Sequence, residues 1–325
     1  MSASRTVLLT DHAWPDDSVE RAVVEAAGLT LVTGPADPAP AAVIEALVRE
    51  HRPTAVLTCW APVTAEAIEA APDLRIVARL GVGLDNIAVD AATERGAWVT
   101  NVPDYCVEEV SDHAVAMVLA WARGLAVFDR DVRAGNWRPA AAKLRRVSTL
   151  TCGIIGLGRI GRATARKLAA FGCHLLAHDP YAQADALDVE STTLDELLGR
   201  SDVVILHAPI TGTTHHLIGA TELARAKPGA LLVNVSRGGL VDTNALDDAL
   251  ATGRLGGAGL DVLESEPRVP AALLERSGVL LTPHIAFSST ASVEELRRRA
   301  AEEVVQVLSG APPAFPCNEP RGVRS

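Results

Sequence analysis

The chain has 325 residues, of which 48% are apolar, so it is long enough for two domains of ordinary size with sizeable cores. A formal net charge of −10 argues against a nucleic-acid partner, because phosphate recognition needs a basic surface. The five cysteines lack paired or metal-like spacing, so we expect no metal site. No signal peptide and no bilayer-spanning apolar run occur, so we expect a cytoplasmic protein with no membrane partner.

From the N-terminus, short β-rich runs alternate with helical patterns. The predicted strands cover residues 6–10, 29–33, 55–60, 75–80 and 97–102. The predicted helices between them cover residues 15–27, 40–51, 63–71 and 86–96. Strands separated by helices of this length predict right-handed βαβ units and a parallel sheet.

The stretch 105–134 is different, because it is helical and largely apolar without a clear strand at either end. We expect it to bridge domains or to pack on a partner subunit. A second series of alternating elements follows, with strands predicted at 152–155, 174–178, 203–207, 230–235, 257–261 and 279–281. The last predicted helix, 290–308, has no sheet of its own, so the chain is expected to return to the first domain.

A glycine-rich turn follows the first strand of this second series. Gly156 permits the tight turn, Gly158 lets the backbone approach a pyrophosphate, and Gly161 lets the following helix lie close to the sheet. Asp179, after the next strand, would accept hydrogen bonds from the adenosine ribose and would repel a 2′-phosphate. The pattern therefore predicts a dinucleotide site that favours NAD over NADP.

Three polar residues further along the chain fit the reduction of a 2-keto acid. Arg237 follows an apolar strand, at the edge of a parallel sheet where ligands bind, and its guanidinium can grip a carboxylate through two hydrogen bonds. His284 can deliver a proton, because an imidazole ordinarily changes charge near neutral pH. A carboxylate at Glu266 would hold that imidazole in place and favour its acid form. These three residues are the predicted catalytic set.

The chain resembles the D-isomer-specific 2-hydroxyacid dehydrogenases, the family of phosphoglycerate, glycerate, lactate and formate dehydrogenases. The resemblance extends through most of the chain and rests on the segments LGVGLDNI (80–87), NVPDYCVEEVSDHAVAMVLA (101–120), GIIGLGRIG (153–161), HDPY (178–181), LHAPITGTTHHLI (206–218), LLVNVSRGGLVD (231–242), GAGLDVLESEP (257–267) and LTPHIA (281–286). It implies the same catalytic roles for Arg237, Glu266 and His284.

The resemblance also implies roles for further residues. Asp261 would hold the nicotinamide carboxamide, and the backbone N–H groups of Val82 and Gly83 would bind the substrate carboxylate. The remaining implied cofactor contacts are Arg159 and Ile160 at the pyrophosphate and His207, Pro209 and Thr214 on the adenosine side.

The implied fold is α/β, with two doubly wound parallel-sheet domains: a Rossmann NAD domain inserted in a flavodoxin-like substrate domain. The substrate domain is predicted at 1–102 plus 285–325 and the NAD domain at 103–284. The NAD domain includes the helical stretch 105–134, around which the family resemblance implies a homodimer. The cleft between the domains would close by hinges near 101–103 and 284–288.

The chain departs from the family pattern near the expected substrate site. Many members carry Arg or Ser near the end of the third strand, where this chain has Trp60, and many place Gly or Trp where this chain has Phe287. Both residues are expected to contact substrate and to form a partly apolar wall. Arg79 and Arg138 are the possible cationic partners for a substrate phosphate, although neither lies on a recognised substrate motif.

The sequence predicts an NAD-dependent D-2-hydroxyacid dehydrogenase that exchanges a hydride with a small 2-keto or 2-hydroxy acid. The segments 101–114 and 264–267 also resemble the C-terminal-binding-protein corepressors. The alternative is therefore an NAD(H)-responsive binding protein with little turnover. A phosphonate-bearing keto acid is a third possibility, for which the sequence gives no positive evidence.

Overall fold

The computed structural model describes residues 5–182 and 188–321. The chain folds into two compact units. The first unit comprises the residues up to Tyr105 and those from Ser289 onwards, and the second is Cys106–Ser288. Each unit is built on one sheet whose paired strands are parallel.

The first unit alternates strands and helices from its start. Its strands are β1 (Thr6–Leu9), β2 (Thr30–Thr33), β3 (Ala55–Thr58), β4 (Ile76–Arg79) and β5 (Trp98–Thr100). The intervening helices are α1 (Ser18–Ala26), α2 (Ala41–His51), α3 (Ala65–Ala70) and α4 (Val89–Arg95). The strand order β2-β1-β3-β4-β5 is that of flavodoxin-like sheets. Every residue of β3 and β4 is buried, as expected for strands covered on both faces.

The second unit begins with two helices and continues as a longer alternating series. Its strands are β6 (Thr151–Ile155), β7 (His174–His178), β8 (Glu190–Ser191), β9 (Val203–Leu206), β10 (Ala230–Asn234), β11 (Leu255–Leu260) and β12 (Val279–Leu281). Its helices are α5 (Val107–Arg123), α6 (Leu125–Arg133), α7 (Arg159–Ala170), α8 (Leu194–Arg200), α9 (Ala220–Arg225), α10 (Thr243–Ala251) and α11 (Ala271–Glu275).

The order of the second sheet, β12-β11-β10-β9-β6-β7-β8, reverses direction between β6 and β9. In open parallel sheets, ligands bind in the crevice outside the carboxyl ends of the strands at such a reversal. The glycine turn after β6 lies there. The predicted α/β class with two doubly wound parallel sheets is confirmed.

The last helix, α12 (Thr290–Leu308), packs within the first unit against α1 and β4. Ser289 caps its start, because the Ser289 hydroxyl accepts a hydrogen bond from the N–H of Ser292. An ion pair buried inside the unit links it to α1, where Arg297 Nη2 lies 2.7 Å from Glu20 Oε2. The Glu20 side chain is fully buried, so this pair holds the returning chain on the first sheet.

The stretch 105–134 is not one continuous helix. Gly124 adopts φ 63° between α5 and α6, a left-handed conformation that ends α5, and the two helices are bent by 59°. Among the described residues, no single helix is both long and apolar enough to cross a bilayer. The bent pair α5 and α6 meets that test of length and composition only when the two are taken together.

Candidate active site

The glycine turn is shaped by close backbone packing at two of its three glycines. Gly156 has φ 97°, and a Cβ there would lie 2.7 Å from the carbonyl of His207. A Cβ at Gly161 would clash with the carbonyl oxygen of Gly156. At Gly158 a Cβ would meet nothing within 4 Å, so the space beside the start of α7 is open. Two glycines are therefore needed for the fold, and the middle one leaves room for a ligand.

Asp179 lies directly after β7 and beside this turn. Its Oδ2 accepts a hydrogen bond from Leu157 N at 2.7 Å, and its Oδ1 accepts from Tyr181 N at 2.8 Å and Ala182 N at 3.0 Å. Burial raises the pKa of the carboxyl, but these backbone donors outweigh it, so the pKa of Asp179 is lowered. A fixed negative charge therefore stands at the end of the second strand of the dinucleotide fold.

The other predicted cofactor residues line the same edge of the second sheet. Arg159 and Ile160 form the first turn of α7, where the helix presents its positive end. Thr214 shapes the loop after β9, because its hydroxyl donates to the Pro209 carbonyl at 2.7 Å. His207 Nε2 lies 2.9 Å from Thr164 Oγ1, and burial lowers the pKa of His207 to about 4. His207 is therefore neutral at physiological pH and links β9 to α7.

These residues fit a bound dinucleotide. The open space at Gly158 adjoins the first turn of α7, whose free N–H groups suit a pyrophosphate, and Asp179 is placed to receive ribose hydroxyls.

Arg237 is carried by a tight turn at the end of β10. Asn234 fixes this turn, because its Nδ2 donates to the Arg237 carbonyl at 2.8 Å and its Oδ1 accepts from Ser236 N at 3.1 Å. The Arg237 side chain is partly exposed, and its Nη1 donates to the Ser236 carbonyl at 2.8 Å. Gly238 lets the turn pack closely against the backbone of the loop after β11, because a Cβ at this position would clash with the Leu263 backbone.

Glu266 and His284 form a hydrogen-bonded pair. His284 Nδ1 lies 2.8 Å from Glu266 Oε2, and Leu263 N donates to Glu266 Oε1 at 2.8 Å. Burial raises the pKa of Glu266, but the contact with His284, the Leu263 N–H and the charge of Arg237 together lower it. Glu266 is therefore ionised at neutral pH, and its bond to Nδ1 turns the other ring nitrogen, Nε2, away from it.

Asp261 organises the segment that carries His284. Its carboxylate is buried at the end of β11 and accepts hydrogen bonds from Thr282 Oγ1 at 2.6 Å, Ile285 N at 2.9 Å and Ala286 N at 2.9 Å. The Asp261 carbonyl accepts from His284 N at 2.8 Å. This anchoring holds His284 at φ 55°, a backbone conformation that is uncommon outside glycine. Sequence reasoning did not find this role.

Two more side chains of the second unit lie beside His284 or beside the residues that anchor its segment. Phe287 meets His284 edge-on, with ring centroids 6.4 Å apart. His113, on α5, places its Nε2 2.9 Å from Thr282 Oγ1 and 3.8 Å from Asp261 Oδ1. The second unit thus brings together Arg237, Glu266, His284 and Phe287. The sequence analysis missed His113, whose one signal was its place in the matching segment 101–120.

The predicted substrate residues of the first unit lie on the loops after β3 and β4. The buried carboxylate of Asp11 fixes the first loop by accepting from the N–H groups of Cys59 at 3.0 Å, Trp60 at 2.7 Å and Ala61 at 3.1 Å. Asn86 joins the two loops, because its Nδ2 donates to the Ala61 carbonyl at 2.9 Å. The first unit thus holds Trp60 on the loop that neighbours Val82 and Gly83.

The loop after β4 carries Val82 and Gly83, and the last residue of β4 is the buried Arg79. Val82 is 36% exposed, and its carbonyl accepts from Asn101 Nδ2 at 2.6 Å. The guanidinium of Arg79 lies 5.6 Å from the centre of the Trp60 ring and donates to the Leu80 carbonyl. The Arg79 side chain is buried, and its Nε has no hydrogen-bond partner within the described part of the chain. Arg79 and Arg138 were the two possible cationic partners for a substrate phosphate. Arg79 lies beside Trp60, whereas Arg138 is exposed in the second unit.

Comparison with known proteins identifies the family of the chain. Residues 115–286 match the family model described as "D-isomer specific 2-hydroxyacid dehydrogenase, NAD binding domain". The chain is 43% identical to D-3-phosphoglycerate dehydrogenase of Mycobacterium leprae (strain TN), over 76% of this chain and 48% of that protein. It therefore spans about half the length of that relative. It is also 46% identical to the glyoxylate reductase of Korarchaeum cryptofilum (strain OPF8), over 76% of each chain.

A solved structure agrees with the fold. The D-lactate dehydrogenase from Aquifex aeolicus, complexed with NAD and lactic acid, has a TM-score of 0.84 and 30% identity, covering 94% of this chain and 96% of that one. The predicted family is confirmed, and NAD is confirmed as the cofactor of the matched domain. The chain belongs to the D-isomer-specific 2-hydroxyacid dehydrogenases.

Proposed function

We propose that this protein is an NAD-dependent D-2-hydroxyacid dehydrogenase acting mainly as a reductase of a small 2-keto acid. The hydrogen bond of 2.8 Å between His284 Nδ1 and Glu266 Oε2 carries the proposal, because it leaves Nε2 as the nitrogen that serves the substrate. Arg237 follows β10 near the same carboxylate and supplies the cation that a 2-keto acid requires.

Each residue has a distinct task in the proposed reaction. When bound, NADH supplies the hydride that reduces the substrate carbonyl carbon. His284 gives a proton to the carbonyl oxygen, and Glu266 stabilises the charged imidazole before that transfer. Arg237 grips the carboxylate and polarises the carbonyl. In the oxidative direction His284 accepts the proton from the hydroxyl group.

We assign the same cofactor-holding residues as the sequence analysis. The start of α7, with Gly158, Arg159 and Ile160, would hold the pyrophosphate, Asp179 the ribose, and the loop with His207, Pro209 and Thr214 the adenosine side. Val82 and Gly83 would bind the substrate carboxylate, with Trp60 and Phe287 as apolar contacts. Asp261 would also hold the nicotinamide carboxamide by accepting a hydrogen bond from it. A carboxylate has more acceptor positions than the three hydrogen bonds that Asp261 already accepts.

Turnover against a panel of 2-keto acids tests the function. The panel contains glyoxylate, hydroxypyruvate, its 3-phosphate, and branched-chain and aromatic keto acids, and it is followed by the loss of NADH absorbance. We expect turnover with at least one member. For every member except glyoxylate, whose product glycolate is achiral, we expect formation of the D-hydroxy acid, which chiral chromatography identifies. Formation of the L-hydroxy acid, or no turnover with any member alongside NADH-dependent binding to another protein, would contradict the proposal.

Substitution of Asp179 tests the cofactor preference. In Asp179→Asn the charge that repels a 2′-phosphate is lost, so the ratio of kcat/KM for NADH to that for NADPH should fall by roughly tenfold or more. Asp188→Asn removes an exposed acidic group of the same unit and should leave the ratio unchanged. A wild-type preference for NADPH would overturn the assignment.

We propose that α6 contributes to a homodimer interface. None of its residues is buried within the chain, although several are apolar: Leu125 is 59% exposed and Val132 is 49% exposed. Trp137, just beyond the helix, is 81% exposed. Apolar side chains grouped in this way are typical of a surface that a partner covers.

The mass in solution tests this interface. Light scattering of the wild type should give twice the chain mass of 34.0 kDa. Leu125→Asp should give a monomer at micromolar concentration, because a charge would be buried in the interface. Leu274 on α11 is 64% exposed, so Leu274→Asp is the matched control and should remain dimeric. A dimeric Leu125→Asp variant would exclude α6 from the interface.

A further inference from the structure

Three side chains that can bind metals meet beside the Arg237 turn, on two loops of the second unit. They are His215, His216 and Glu264, and one ligand atom of each lies within 4.8 Å of the others. His216 Nε2 is 2.6 Å from Glu264 Oε1, and the two imidazole rings stack with their centroids 4.0 Å apart. The proposed hydride transfer uses none of the three.

Hydrogen bonds from Thr243 orient the Glu264 carboxylate towards His216. Its Oε2 accepts from Thr243 Oγ1 at 2.7 Å and from Thr243 N at 3.3 Å, which leaves Oε1 directed at His216. A carboxylate fixed in this way loses little side-chain freedom when it binds a cation, because one of its oxygens is already held by the start of α10.

The backbone of His216 is also fixed, and a further carboxylate lies near its ring. Its backbone has φ 52°, and its N–H donates to the Gly239 carbonyl at 2.8 Å. Its second ring nitrogen, Nδ1, lies 4.0 Å from Asp242 Oδ2, while Asp242 Oδ1 caps α10 by accepting from Asn244 N and Ala245 N. Metal-bound histidines usually present the other ring nitrogen to such a carboxylate. Asp242 is therefore suited to orient His216 from outside the cluster.

We propose that His215, His216 and Glu264 bind one divalent cation of the zinc class, with a water molecule as the fourth ligand. Two imidazoles and a carboxylate form a donor set that Zn²⁺ prefers, and three protein ligands with one open position give it four-coordinate geometry. Small rotations of the side chains suffice, because the ligand atoms already lie within 4.8 Å. The sequence analysis expected no metal site from the spacing of the cysteines, and nothing in the sequence brings together His216 and Glu264, which are 48 positions apart.

The bound cation would join two segments of the second unit. Glu264 belongs to the loop that carries Glu266, and His215 and His216 belong to the loop that follows Thr214. A ligand that binds only the folded protein raises its stability. Zn²⁺ should therefore raise the melting temperature of the protein whether or not the proposed dehydrogenase activity is found.

Calorimetric titration of untagged, chelator-treated protein with Zn²⁺ tests the site. The wild type should bind one equivalent, and at a Zn²⁺ concentration of about 100 times Kd its melting temperature should rise by about 5 °C or more. With Co²⁺ in place of Zn²⁺, we expect visible d–d bands without thiolate charge-transfer bands, because no cysteine is a ligand.

Two variants separate this cluster from the other histidines. His215→Ala removes one exposed ligand and should weaken Zn²⁺ binding by at least about tenfold and abolish the Co²⁺ bands. His174→Ala removes an exposed histidine of the same unit that lies outside the cluster and should bind as the wild type does. Equal binding by His215→Ala and the wild type, thiolate bands with Co²⁺, or the absence of stoichiometric binding would each overturn the proposal.

Discussion

Replacing His284 by alanine is expected to lower kcat for keto-acid reduction by about 10²–10⁴-fold, the usual contribution of a general acid. The affinity for NADH should remain within about twofold, because the glycine turn and Asp179 belong to other loops of the second unit. Stopped-flow turnover gives the first quantity, and a fluorescence titration with NADH gives the second. Unchanged turnover would exclude His284 as the proton donor.

The backbone of His284 makes a second variant useful. Its φ of 55° lies in the left-handed region, which asparagine adopts more readily than alanine does. His284→Asn should therefore keep the local fold and retain a polar contact with Glu266, but it cannot transfer the proton. We expect the same loss of kcat as in His284→Ala with a smaller change in melting temperature. His174→Asn is the control at an exposed histidine and should keep full turnover.

Glu266 is expected to act as a positioning residue, so its substitution should change the pH profile as well as kcat. Its lowered pKa keeps it ionised throughout the neutral range, where its negative charge favours the protonated imidazole. In Glu266→Gln that charge is absent, so the protein loses the carboxylate that stabilises the charged imidazole. The pH at which reduction falls to half should therefore move downwards. A lower kcat with an unmoved profile would indicate a purely structural role.

The alternation of strands and helices was predictable because each parallel strand is a short apolar run between amphipathic helices. The break at Gly124 was not predicted, because the sequence on both sides of it has a helical pattern. The glycine turn and the order of Arg237, Glu266 and His284 were recognisable because each lies within a short local motif. Their assigned roles stay predictions until the variants are measured.

The residues that hold the loops in place were much harder to predict. Asp11 accepts hydrogen bonds from backbone groups that lie 48 to 50 positions further along the chain. Asp261 and its partners on the His284 segment are 21 to 25 positions apart. A parallel sheet places the carboxyl ends of its strands at one edge, so the sequence indicates which loops meet. It does not indicate which backbone N–H groups a given carboxylate faces.

Substitution of Asp261 should produce the largest combined loss of stability and activity in the second unit. In Asp261→Asn one carboxylate oxygen becomes an NH₂ group, which faces at least one of the donors Thr282 Oγ1, Ile285 N or Ala286 N. A buried donor without an acceptor costs about 1–3 kcal/mol in the free energy of unfolding. Thermal denaturation should therefore show a melting temperature lower by roughly 2–12 °C.

Asp261→Asn should also release His284 from its position, because the Asp261 carboxylate holds Ile285 and Ala286, the two residues that follow His284. A displacement of about 1 Å at a reacting group can cost about 10²-fold in turnover, so we expect kcat to fall by about that factor. Thr282→Val removes only one donor and should have a smaller effect on both quantities. Asp248→Asn, an exposed site on α10, is the control for the loss of charge.

The affinity for NADH separates the two roles of Asp261. If it acts only by anchoring the segment 282–286, the NADH dissociation constant of Asp261→Asn should stay near that of the wild type while kcat falls. If it also holds the nicotinamide carboxamide, the dissociation constant should rise by roughly fivefold or more, the value of one hydrogen bond of about 1 kcal/mol. Wild-type stability together with wild-type kcat in Asp261→Asn would contradict the anchoring role, because the three buried hydrogen bonds would then contribute nothing to fold or turnover. An unchanged dissociation constant for NADH would contradict the carboxamide role.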